Sequence, residues 1–257
     1  MRKLVLVAVL VSAVAGTARA DWDEGDSCKM HYPQLPNIYE PYPFGGIDVL
    51  CQEPKMLADD FLCTADGPIT DIHIWGSWLN DEVGQPTFFV EIYNDIPAAD
   101  SQTGYSMPNI YEGPIWGRPF MPGEYRVRPW GEPMQELFWD PNTGEDLGFD
   151  TQCWQYNFYI NPDEAFRQVE GTTYWLAVST LPTGPGIFGW KTSLEYWNDN
   201  AVYWDPMGGP VLEPRELTHP FFTGEPLDLS FVITPEPATM CLLGAGLVGL
   251  ALKRKRK

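Results

Sequence analysis

The residues best placed to do chemistry are clustered carboxylates, cysteines and an unusual number of tryptophans. Asp140-Pro141-Asn142-Thr143-Gly144-Glu145-Asp146 sets oxygen-bearing side chains at its first, third and seventh positions, Asp140, Asn142 and Asp146. That spacing resembles the way a loop wraps a structural Ca²⁺ ion. Its glycine falls one position early for an EF-hand and no glutamate stands at the twelfth position, so a polar turn competes with it. Asp21, Asp23 and Asp26 form a second, looser acidic cluster. Structural calcium is the only cofactor these spacings suggest.

Cys28, Cys51, Cys63 and Cys153 lie in the body of the chain, and Cys241 lies near its end. In an oxidising compartment the first four can form two disulfides, with three connectivities that the sequence leaves open. No C-x-x-C occurs, and His31, His73 and His219 are the only histidines, which argues against structural zinc. G-x-S-x-G and H-E-x-x-H are absent. Glycoside hydrolysis is the enzymatic alternative, because it needs two facing carboxylates and Glu91 sits on an aromatic strand between Phe89 and Tyr93. The expectation is a non-enzyme with no catalytic residues. Sugar rings stack on Trp and Tyr, so polysaccharide binding is the favoured activity, with Trp116 and Trp130 as candidate ligand-facing residues. A structural or adhesive surface protein without a specific ligand is the alternative.

The elements that must position these residues read as β-strands. The 257 residues include 24 Gly and 25 Pro, too many interruptions for long helices. Strand signals run over 57–63, 69–75, 87–93, 124–128, 135–139, 152–160, 172–179, 188–192, 200–204 and 228–233. Ile72 and Ile74 share one face while His73 and Trp75 share the other. This pattern predicts an all-β, sandwich or jelly-roll-like single domain. One short helix is expected over 162–169, capped by Asn161 with Pro162 at its first position. The proline- and glycine-rich stretch 94–123 reads as a long surface excursion.

Both ends read as targeting segments. Arg2 and Lys3, the apolar run 4–15 and Ala18-Arg19-Ala20 form a secretory signal peptide, 1–20, removed by signal peptidase after passage through the Sec export machinery. The body, 21–234, then holds 34 acidic and eight basic side chains, a net charge of -26 that excludes nucleic acid as a partner. At the other end Pro235-Glu236-Pro237 precedes the uncharged run 238–252 and the basic cluster Lys253, Arg254, Lys255, Arg256 and Lys257, a stop-transfer arrangement. The apolar run is shorter than the roughly 20 residues of a lasting membrane span.

Residues 235–257 closely resemble the PEP-CTERM sorting signal of Gram-negative bacteria. The resemblance implies recognition of Pro235, Glu236 and Pro237 by an exosortase, an integral-membrane cysteine protease. It also implies a transient anchor in the inner membrane and release to the cell surface or an extracellular matrix. The body resembles a domain of unknown function found in exported proteins of planctomycete-like bacteria. Ala58-Asp59-Asp60-Phe61, Trp75-Gly76-Ser77-Trp78, Tyr174-Trp175-Leu176-Ala177-Val178 and Phe188-Gly189-Trp190-Lys191-Thr192-Ser193 carry that likeness.

Overall fold

The computed structural model describes residues 21–40, 45–182 and 184–234. The signal peptide and the sorting tail, with its expected apolar helix, lie outside the described residues. Among those described, no helix is long and apolar enough to cross a membrane.

The chain forms β1 (Ile47–Leu50), β2 (Met56–Leu62), β3 (Gly67–Pro68), β4 (Asp71–Trp78), β5 (Thr87–Ile96), β6 (Met107–Pro108), β7 (Trp116–Phe120), β8 (Tyr125–Gly131) and β9 (Glu136–Asp140). It continues through β10 (Glu145–Asp150), β11 (Cys153–Tyr159), β12 (Arg167–Gln168), β13 (Thr173–Leu181), β14 (Phe188–Ser193), β15 (Val202–Trp204), β16 (Arg215–Glu216), β17 (Asp228–Leu229) and β18 (Phe231–Thr234). A nine-stranded sheet runs β10-β9-β1-β14-β4-β11-β8, with β17 beside β14 and β18 beside β4. A seven-stranded sheet runs β16-β15-β2-β13-β5-β6, with β7 on β5. The β1–β9 pair is parallel, and the neighbouring β1–β14 and β9–β10 pairs are antiparallel. The all-β class is as the residues predict.

Aromatic side chains join the two sheets. Phe88 of β5 meets Tyr156 and Phe158 of β11 and Phe188 of β14, each with ring centroids 5.1 Å apart. Phe61 of β2 meets Phe231 of β18 at 6.1 Å. Each such ring, once buried, contributes roughly 1.5–3 kcal/mol of hydrophobic stabilisation. The alternation in β4 sends Ile72 and Ile74 into this layer and His73 and Trp75 to the opposite face, which is also buried. Trp22 from the N-terminal segment and Trp130 from β8 close over Trp75, with centroid distances of 5.7 and 5.1 Å. A polar layer on the outer face of the larger sheet is thereby sealed from water.

Two local expectations change. No helix forms over 162–169. Asn161 does cap a turn, accepting from Asp163 N and Glu164 N at 3.2 and 2.8 Å, but the chain then extends into β12 against β3. Gln168 is buried there and donates to the carbonyls of Lys29 and Ala65, a tertiary gain that a helix of eight residues cannot match. The 94–123 stretch is less of an excursion than its composition suggests, because β7 returns to pair with β5 from Phe88 to Ile92.

Candidate functional site

The sorting motif begins where the fold ends. Phe231, Val232 and Ile233 of β18 are fully buried and Thr234 is 7% exposed. One side of β18 pairs with β4 from Asp71 to Ile74, and on the other Phe231 O and Ile233 O accept from Gln34 N and Lys29 N at 3.1 and 2.7 Å. Thr234 Oγ1 lies 3.4 Å from His73 Nε2. Pro235, Glu236, Pro237 and the basic residues 253–257 lie outside the described residues.

The candidate sugar-facing tryptophans are already engaged within the fold. Trp116 donates its indole N–H to Glu164 O at 2.8 Å. Trp130 stacks on Trp22 with an interplanar angle of 23° and carries the Arg128 guanidinium 5.2 Å above it. The open aromatic surface lies elsewhere. Tyr196 is 41% exposed, with Tyr32, Phe221 and Leu194 exposed beside the same loops. A recess of about 170 Å³ opens there, lined by Tyr196, Phe222, His219, Asn37, Thr192 and Glu225, among others. His219 shapes it. Its Nδ1 accepts from Phe221 N and Phe222 N at 3.1 and 3.2 Å, and burial holds its pKa below the ordinary value, so the ring stays neutral and the turn stays tight. Tyr32 donates its hydroxyl to Tyr196 O. These residues come from segments far apart in sequence, with no shared periodicity that could have marked them as one surface.

The proposed calcium loop is the hairpin between β9 and β10. Asp140 Oδ1 accepts from Asn142 N at 3.0 Å and pairs with Lys55 Nζ at 3.1 Å. Asn142 turns away to donate to Asp205, and Asp146 is exposed on β10. The loop thus spends the Asp140 carboxylate on its own turn and on Lys55, and the Asn142 amide N–H on Asp205. The four body cysteines are free thiols rather than two disulfides. Cys51 points between the sheets to Val178 O at 3.3 Å, whereas Cys153 shares the opposite face of the larger sheet with Gln155 and Asn157. Cys28 and Cys63 each turn to a carbonyl two residues on, Met30 O and Ala65 O. Burial raises all four thiols above their ordinary values.

Two buried acidic networks went unread in the sequence. In the first, Asp59 Oδ2 accepts from Gln34 Nε2 and Leu229 N at 2.9 and 2.6 Å, and Asp228 Oδ2 accepts from Trp197 N at 2.8 Å. Asp60 Oδ2 accepts from Asn198 Nδ2 at 2.5 Å. Burial pushes all three upward, Asp228 to about 7. This network ties the N-terminal segment, β2, β17 and the 197–198 turn together. In the second, Lys191 of β14 donates to Asp48 of β1 at 2.7 Å and to Glu136 of β9 at 2.5 Å. Asp150 of β10 stands directly across from Glu136. Burial raises Glu136 to about 7 against the pull of Lys191, and raises Asp150 to about 10 with a further push from Asp48. Burial opposes charge on Lys191 as well, but Asp48 and Glu136 outweigh it and keep the ammonium protonated. Gly189 makes room for the cluster, since a Cβ there would come within 2.6 Å of the Phe138 ring and 2.8 Å of Asp48 Cβ. The Asp59–Asp60 pair and Lys191 lie within the segments that carry the body's family likeness, and in the fold they serve these interior networks.

Comparison with known proteins agrees with both resemblances at the level of the family. A family model described as a domain of unknown function, DUF7901, matches residues 30–234, and one described as a PEP-CTERM protein-sorting motif matches residues 234–256. Neither the curated proteins nor the solved structures give a match. The first match covers most of the sequence and nearly all of the described fold. The chain therefore belongs to the DUF7901 family, and its PEP-CTERM tail makes it an exported protein targeted to an exosortase.

Proposed function

We propose that this chain is a non-catalytic, polysaccharide-binding protein of the cell surface or extracellular matrix. In this reading the Sec machinery exports it and signal peptidase removes 1–20. The tail holds the body 21–234 briefly at the inner membrane, and the exosortase then acts at Pro235-Glu236-Pro237. The observation that carries the ligand is the Tyr196 recess. The aromatic residues Tyr196 and Phe222, lining it beside Thr192, Asn37 and Glu225, suit a sugar, which offers C–H faces and hydroxyls together. A volume near 170 Å³ fits a single sugar unit of a longer chain, leaving its neighbours to run along the exposed Tyr32 and Phe221.

Binding without turnover is the reading the carboxylates favour. Glycoside hydrolysis uses a facing pair, and among the described residues the recess is lined by one acid, Glu225. Glu91, the earlier candidate, accepts the Tyr93 hydroxyl at 2.6 Å on a different sheet. The test is a glycan array on the full chain in detergent, with the Tyr196→Ala variant alongside. Saturable binding to one polysaccharide, weakened about 3- to 10-fold by loss of the ring, is expected from the worth of a single aromatic contact. Absence of saturable binding would leave a structural or adhesive role in its place, and release of reducing sugar would point to a hydrolase.

A further inference from the structure

We propose that Asp48, Glu136 and Asp150 form a divalent-cation site in the outer layer of the nine-stranded sheet, and that the cation is calcium. The three carboxylates stand on adjacent strands, β1, β9 and β10, and one oxygen of each lies within 4.8 Å of the others. Oxygens bound to one Ca²⁺ at about 2.4 Å can be no more than about 4.8 Å apart, whereas Mg²⁺ at about 2.1 Å would require a tighter set. The donors are all hard oxygens, which suits either ion but not a soft transition metal.

Unused donor capacity points the same way. Lys191 occupies Asp48 Oδ2 and Glu136 Oε2. Asp48 Oδ1 and both oxygens of Asp150 are enclosed without a donor, and Glu136 has only the Gly46 backbone N–H beside the ammonium. Asp150 is 1% exposed and sits directly across the ladder from Glu136. A bound cation would displace the proton that burial keeps on Asp150, and the three carboxylates against one ammonium would then carry a charge of -2, which a single divalent ion cancels. Buried charge without compensation is expensive, and enclosed oxygens without donors, both of those of Asp150 among them, are the arrangement that hard-cation coordination relieves. Access exists on one side. Asp150 leads into Thr151, Gln152 and Cys153, which line an open surface recess opposite Gly131 and Pro133.

The surface of this protein is acidic enough to attract calcium loosely, so the experiment must separate a site from an atmosphere. The full chain, in detergent at pH 8 and 0.15 M salt, is dialysed against ⁴⁵Ca²⁺ and its thermal unfolding followed with calcium and with chelator. One saturable ion per chain is expected, with an upward shift of the unfolding midpoint of roughly 5–10 °C at a hundred times the dissociation constant. Asp150→Asn and Glu136→Gln should each weaken binding at least 10-fold, while Asp146→Asn, in the exposed hairpin, should leave it unchanged. The proposal is overturned if the wild type holds no saturable ion, or if Asp146→Asn abolishes binding while Asp150→Asn does not. Because each variant is read by its response to added calcium, a lowered starting stability does not blur the outcome.

Discussion

Replacing Lys191 by Met removes the single cation of the Asp48–Glu136–Asp150 cluster and keeps the volume of the side chain. The ammonium is fully buried and makes two short ion pairs, at 2.7 and 2.5 Å. Deleting one partner of a buried ion pair costs about 3–5 kcal/mol, because the charges left behind have lost their solvent and their counterion. For a domain of this size that corresponds to a fall in the unfolding midpoint of roughly 6–20 °C. The loss must depend on pH. Glu136 and Asp150 have folded-state values raised to about 7 and about 10, above the ordinary carboxyl range. A raised acid favours the folded state while it is protonated, and that stability is lost as pH climbs from the unfolded value through the folded one. Taking Lys191 away raises both further, so the variant should be crippled at pH 8 and much nearer to wild type at pH 5. Thermal unfolding by near-ultraviolet circular dichroism, in chelator at both pH values, measures this. A loss under about 1 kcal/mol at pH 8, or an equal loss at both pH values, would refute the idea that Lys191 holds a charged interior together.

Three further outcomes are expected. His73 has a folded-state pKa near 4 because of its burial, so its contribution is complete above pH 6.5 and disappears as pH falls toward 4; His73→Gln should flatten urea-denatured stability across that window. Trp130→Ala should cost about 3 kcal/mol by opening the Trp22–Trp75 corner, yet leave glycan binding intact, as compared by calorimetry and array. A chain ending at Ser230 should fail to fold, whereas one ending at Thr234 should retain the wild-type unfolding transition, since Phe231, Val232 and Ile233 are fully enclosed.

Much of the fold was legible because strand alternation and turn residues act locally. The runs around Asp71–Trp78, Thr173–Leu181 and Phe188–Ser193 were read within a few residues of their ends. The helix over 162–169 failed because its cap and proline signals are local, while Gln168 is held by carbonyls more than a hundred residues away. The site was far less legible. Asp48 and Lys191 are paired across β1 and β14 by the register of the sheet, and 143 residues of chain separate them. Read along the chain, each of these acids is one of many in a strongly acidic body. Trp116 and Trp130 illustrate the converse, since tryptophans that look available by composition were recruited into the fold, Trp130 to close the outer layer and Trp116 to hold the turn at Glu164.

The burial of β18 also orders events in time. On the proposed export route, the strand that completes the larger sheet would be the last piece of the body to leave the translocation channel, and it is stitched on one side to Lys29 and Gln34, among the first pieces to leave. The sheet therefore cannot close until the whole body has crossed. By then only Pro235, Glu236 and Pro237, at most about 10 Å of extended chain, separate Thr234 from the apolar run. On the proposed route, folding would be completed against the membrane surface, with the exosortase motif no farther than this from the body.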